Sequence, residues 1–173
     1  MPLGTPPPGS PPHLAALRLQ VLAQTQLNIV TFPSPAAARQ AVLAGNVSAA
    51  ALGLSAVIGD IRDGSLTAIG IAARRRFGLL PDTPSLDEGG IPLSAFIRRG
   101  IAVPAGTPPD AVAALADAMR AVVQDETFRD QAEANGYYAA WVDGPEWLKQ
   151  MQTEQADLAK LWETNPWLSS SGG

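Results

Sequence analysis

The sequence predicts an α/β fold built on a parallel sheet, and three observations predict it. Capped helical stretches alternate with short apolar, β-branched runs along residues 11–73. Prolines and glycines punctuate the joints between them. The 173 residues are 46% apolar and 16% charged, which suffices for a core and lacks the low hydrophobicity of disorder. Strands alternating with helices on one chain imply right-handed crossovers and parallel pairing.

Residues 1–12 carry Pro2, Pro6, Pro7, Pro8, Pro11 and Pro12, which favour extended polyproline-like backbone over a packed element. Ser10 is a good N-cap, Pro11 suits the first helical position, and Leu14, Leu17 and Val21 form one stripe, so a helix is expected over residues 11–24. Leu27 to Phe32 reads as a strand by its β-branched and aromatic content. Ser34 and Pro35 start a helix over 35–44, which Gly45-Asn46 ends. Ser48 to Leu54 reads as a buried strand, followed by a helix over 55–62 that Gly64 stops. Leu66, Ala68, Ile69, Ile71, Ala72 and Ala73 make a nearly continuous apolar run, expected to be a strand buried on both faces. In Leu80 to Ser85, Pro81 and Pro84 push their predecessors into extended conformations, so this segment is expected to cross as a strap.

Beyond the strap, Ile97 to Val103 is a further strand candidate. Thr107 to Asp110 resembles a capping box opening a helix with Val112, Leu115, Met119 and Val122 on its inner face. Asp125 caps a shorter helix with Phe128 and Ala132 inward, closed by Asn135-Gly136, and Tyr137 to Trp141 is a short strand candidate. Asp143 and Glu146 frame the last helix, whose Trp147, Met151, Leu158 and Trp162 recur near the helical period. Residues 169–173 read as a flexible tail.

Composition excludes several function classes. A net charge of −4 gives no electrostatic reason to expect nucleic acid or anionic membrane, and Arg74 to Arg76 and Arg98-Arg99 are short clusters without interleaved aromatics. Cysteine is absent, which removes disulfides and thiolate chemistry, and with one histidine no metal site or cofactor is expected. Gly53-Leu54-Ser55-Ala56-Val57 lacks the second glycine of a nucleophile elbow, and His13 is the sole histidine available as a base, so no enzyme is expected. Trp147, Trp162 and Trp167 raise the idea of an aromatic binding surface; because Trp147 and Trp162 fit the last helix's stripe, core or interface is preferred. Met1 to Pro12 has neither the basic residues nor the apolar core of a signal peptide, and no apolar run reaches bilayer length.

Four motifs in order carry a resemblance. They are Gly4-Thr5-Pro6 with Gly9-Ser10 and His13-Leu14; Ile61-Arg62, Gly64, Leu66 and Ala68; Leu80-Pro81-Asp82, Pro84-Ser85-Leu86, Glu88 and Gly90; and Ala102-Val103-Pro104-Ala105-Gly106-Thr107-Pro108. Over about residues 3–165 the chain resembles the solute receptors of tripartite tricarboxylate transporters, the TctC or Bug family. The resemblance implies a type II periplasmic-binding-protein-like α/β fold, a Venus flytrap, truncated at the amino end. Residues 3–75 would be the second, ligand-cleft lobe, 76–96 the hinge or crossing strap, and 97–168 what remains of the first lobe. The implied function is capture of a small carboxylate-bearing solute for transporter subunits in the membrane. The implied location is the periplasm, or the cytoplasm if the chain is expressed as it stands.

By the same resemblance, a carboxylate is held by loops that run into helix N-termini, where N–H groups and a partial positive charge face the anion. The residues this assigns to solute binding are Thr5, Gly9, Ser10 and His13 in the first loop, Ser34 and Ala36 in the second, and Gly53 and Ser55 in the third. Two departures matter. Pro11 and Pro12 remove two N–H donors from the first loop, and Pro33, Ser34, Pro35 and Ala36 replace the family's glycines in the second, stiffening it. A truncated first lobe would leave a sheet edge at Ile97 to Val103 beside the apolar faces carrying Val112, Leu115, Met119 and Trp147, so a homo-oligomer through that edge is expected. The alternative reading, from another class, is a non-binding remnant or protein-interaction module on the same scaffold.

Overall fold

A computed structural model describes residues 1–167 of the chain, so the tail expected over 169–173 lies outside the described residues. The described chain forms two compact units, one of Met1–Ile97 with the chain end from Leu161, the other of Arg98–Lys160.

The first unit is organised by a three-stranded parallel sheet in the order β2-β1-β3. Its central strand, β1 (Pro2–Thr5), lies in the stretch expected to remain unpaired. Pro2 sits at the strand's first residue, where a missing N–H is tolerated, and Leu3, Gly4 and Thr5 keep the donors that a ladder needs. Proline density over residues 6–12 hid that short window. β1 pairs with β2 (Asn28–Thr31) from Pro2↔Asn28 to Thr5↔Thr31, and with β3 (Ala49–Ala50) at Leu3↔Ala49 and Gly4↔Ala50. Gly4 is fitted to this central position, because a methyl group there would stand 3.2 Å from Val47 Cγ2 and 3.3 Å from Phe32 Cε2.

Helices α1 (Pro11–Leu22) and α2 (Pro35–Leu43) connect these strands, close to their expected limits. Right-handed crossovers leading first to one side of β1 and then to the other put α1 and α2 on opposite faces of the sheet. Gly4 and Thr5 are buried accordingly. The buried contacts use small side chains, Ala16 of α1 and Ala38 and Ala41 of α2, with Val47 and Ile58 beside them. The helix expected over 55–62 divides into a 3-10 turn, Leu54–Ala56, and α3 (Ile58–Arg62), because Val57 between them lies at φ −135°, ψ −1°, outside helical values. Gly64, at φ 81°, ends this segment as expected.

Two strand expectations fail for one physical reason. A run of apolar residues favours extended backbone, but a strand also requires a partner backbone for its N–H and C=O groups. Residues 66–73 find only a one-residue parallel bridge, Ile71↔Ser85, and Ile69 is 76% exposed. The bridging segment contains Pro84, which has no N–H to offer, and its carbonyl accepts from Ile71 N–H at 3.0 Å. Residues 97–103 have no ladder, so the expected sheet edge is not formed there; Ile97, Ile101 and Val103 are exposed. The stretch 76–96 is irregular. In it the Arg76 guanidinium grips the Glu88 carboxylate at 3.0 Å, while Ser85 and Glu88 exchange hydrogen bonds at 3.2 Å.

The second unit contains α4 (Pro109–Gln124), α5 (Glu126–Ala134) and most of α6 (Gly144–Thr164). Asp125 and Asp143 cap as expected, accepting from Phe128 N–H at 2.9 Å and Glu146 N–H at 3.0 Å. The capping box at Thr107 is not formed. Pro108 takes the cap position, and the Thr107 hydroxyl donates to the Pro104 carbonyl at 2.8 Å. Tyr137 to Trp141 is coil rather than strand. The face expected to turn inward on α4 stays open, with Val112, Leu115 and Val122 exposed by 41%, 46% and 45%; Phe128 of α5 is also exposed. In this unit Trp147 packs on Gly100, where a methyl group would fall 1.7 Å from Trp147 Cζ3. Within the first unit, Leu161 in the last turns of α6 is buried.

Candidate functional site

The sheet order places a switch point at β1, from which the chain connects to one side through α1 and on to the other through α2. Crevices at the carboxyl ends of strands beside such a point are where open α/β sheets hold ligands. Three loops meet that description: residues 6–10 after β1, 32–34 after β2 and 51–53 after β3. All eight residues assigned from sequence lie on or beside them.

In the first loop Thr5 is wholly buried and structural: its carbonyl accepts from Phe32 N–H at 2.8 Å, and its hydroxyl donates to the Pro6 carbonyl at 3.0 Å. Gly9 adopts φ +80°, a conformation that favours glycine, and donates its N–H to His13 Nδ1 at 3.3 Å. His13 is 5% exposed, and burial pushes its pKa below the usual histidine value. Nδ1 therefore acts as an acceptor on a neutral ring, with the proton on Nε2. Ser10 N–H donates to the Pro7 carbonyl at 3.1 Å. Ser10 is the N-cap of α1 by position, yet its side chain makes no capping bond, because Pro12 removes one of the N–H groups a cap would accept from. Its Oγ is buried and has no hydrogen-bond partner among the described residues.

The second loop uses its serine as sequence predicts. Ser34 Oγ accepts from Ala37 N–H at 3.1 Å and its carbonyl from Ala38 N–H, so the exposed Ala36 carries the remaining N–H of the first turn of α2. In the third loop Gly53 precedes the 3-10 turn that contains the half-buried Ser55. A methyl group on Gly53 would stand 2.8 Å from Ile97 Cδ1, so the Ile97 side chain lies against this loop. Arg39 of α2 and Asp60 of α3 form an ion pair at 3.3 Å that ties the two helices together.

Trp167, raised from sequence as part of an aromatic surface and set aside in favour of core or interface, lies at this site. Its indole lies on the first loop, with Nε1 3.2 Å and Cδ1 3.5 Å from where a Gly9 methyl group would be, and it meets Trp162 edge-on at 4.7 Å between centroids. The only sequence signal was a tryptophan beyond the helical stripe. Among the described residues no group of three or more metal-binding side chains occurs, and no helix is long and apolar enough to cross a membrane.

The sequence matches the Tripartite tricarboxylate transporter family receptor over residues 3–163. The chain belongs to this receptor family. Among solved structures, a TctC solute-binding protein from Polaromonas, without ligand, superposes with a TM-score of 0.78 at 26% identity, over 94% of this chain and 57% of that one. An R. palustris protein with adipate gives a TM-score of 0.75 at 18% identity, over 94% and 55%. MatC from Rhodopseudomonas palustris with bound malate gives 0.65 at 22%, over 93% and 56%. The chain thus has the α/β fold of the solute-binding receptors and spans little more than half the length of these relatives. Comparison with curated proteins gives no match.

Proposed function

We propose that the chain is the solute-holding portion of a tripartite tricarboxylate transporter receptor, with residues 3–75 as its ligand-cleft lobe, and that its ligand is a small dicarboxylate. The observation that carries this is the Ser10 hydroxyl, a buried polar atom with no hydrogen-bond partner among the described residues, in a loop at the carboxyl end of the central strand. A buried hydroxyl without a partner is costly, and an anion oxygen that reaches it as the loop yields removes that cost. The exposed Ala36 N–H at the start of α2 offers a second donor beside a favourable helix dipole. Adipate and malate in two structural relatives fit this chemical class. Membrane transporter subunits as partners and a periplasmic location belong to the same proposal, and the site has the parts for binding without catalysis.

Thermal shift with succinate, malate and adipate tests it. Saturating ligand at 100 times its dissociation constant stabilises by about 2.7 kcal/mol. Ser10→Ala is expected to weaken binding about tenfold, the worth of one hydrogen bond to a charged group. Equal binding by parent and Ser10→Ala would remove this loop from the site.

The open faces of α4 and α5 favour a second reading, in which the second unit is a surface for association. With no strand at 97–103, self-association would use the apolar helix faces rather than a sheet edge.

A further inference from the structure

The donors of the first loop are mostly spent inside the protein. Gly9 N–H is given to His13 Nδ1 and Ser10 N–H to the Pro7 carbonyl, and Pro11 and Pro12 have none. The backbone cradle that a helix N-terminus ordinarily offers an anion is therefore largely closed here. Beside it lies the polar edge of an indole, for Nε1 and Cδ1 of Trp167 are the atoms that a Gly9 side chain would meet, at 3.2 and 3.5 Å. Trp162 packs edge-on against the ring, at 82° and 4.7 Å between centroids. An indole N–H is a donor only, and a half-buried one calls for an acceptor.

We propose that Trp167 is a further solute-contacting residue of this receptor, its Nε1–H donating to a carboxylate oxygen of the ligand beside the Ser10 hydroxyl. Two side-chain donors, one a rigid aromatic wall, replace the backbone donors that the prolines and His13 have taken. This selects a carboxylate flanked by a flat apolar segment, such as an aliphatic dicarboxylate, over a hydroxyl-rich one. Gly9 is part of the arrangement, since any side chain there would press on the indole as well as strain a backbone at φ +80°.

The inference rests on the dicarboxylate reading, and one calorimetric series separates the two. Adipate and malate are titrated into the parent, Trp167→Phe and Trp162→Phe, with intrinsic fluorescence followed in parallel. Trp167→Phe keeps an aromatic ring and removes only the N–H. It is expected to weaken adipate binding about tenfold, as for a hydrogen bond to a charged acceptor, and to abolish the ligand-induced fluorescence change that Trp162→Phe retains. Parent-like affinity in Trp167→Phe, with the fluorescence change intact, would overturn the role of Trp167 and leave the dicarboxylate reading standing. No binding of either acid by the parent would overturn both.

Discussion

Two glycine-to-alanine substitutions should move stability in opposite directions. At Gly100 an added methyl group would sit 1.7 Å from Trp147 Cζ3 and 2.0 Å from Cη2, against an optimal carbon separation of about 3.5–4.0 Å. The indole must retreat by well over an ångström, and both atoms belong to a rigid ring that has no flexible end to swing aside. Overpacking of this kind costs about 1–3 kcal/mol. At about 2–4 °C per kcal/mol for a chain of this size, Gly100→Ala should lower the midpoint of the transition that Trp147 reports by several degrees. Gly59, inside α3, meets nothing within 4 Å, so Gly59→Ala should gain helix propensity of about 0.5–1 kcal/mol. Far-UV dichroism and tryptophan fluorescence during heating follow both variants. An unchanged midpoint in Gly100→Ala, with the emission of Trp147 unaltered, would refute the packing of that ring on the glycine.

His13 should make stability fall on mild acidification. Its folded pKa lies below the unfolded value of about 6.5, so the unfolded chain binds the proton first; stability is full above pH 6.5 and declines until the pH passes below the folded value. Denaturant titrations of the parent between pH 7.5 and 5 should show this slope, and His13→Gln should lack it. Light scattering at micromolar concentration should find an association of the parent that Leu115→Lys, on the exposed face of α4, disperses; a cooperative monomer would count against the open faces as an interface.

Local chemistry carried the parts of the fold that sequence made legible. Serine and proline at the starts of α1 and α2, aspartate before α5 and α6, and glycine after α3 are signals that act over one turn of chain, and the structure places helix ends where they predict. Parallel pairing followed from the alternation of elements. Pairing partners were not legible. The central strand lay among prolines, while the apolar runs at 66–73 and 97–103 had the composition of strands and no backbone to pair with. The site shows the same division. The loops proposed for it follow from the family resemblance and its motif order, but the diversion of Gly9 N–H to His13, the Ser10 hydroxyl without a partner among the described residues and the seat of Trp167 on Gly9 depend on three-dimensional approach. A span of more than 150 residues separates Trp167 from Gly9, and no local pattern links them.

Amide chemical-shift mapping with a dicarboxylate tests the central claim most directly, because it shows where an anion settles without relying on a variant. The account predicts saturable shifts at the N–H signals of Gly9, Ser10, Ala36 and Gly53 and at the Trp167 indole, all with one dissociation constant. Shifts confined to α4 to α6, or a titration of malate and adipate that leaves the loops after β1, β2 and β3 unmoved, would contradict it.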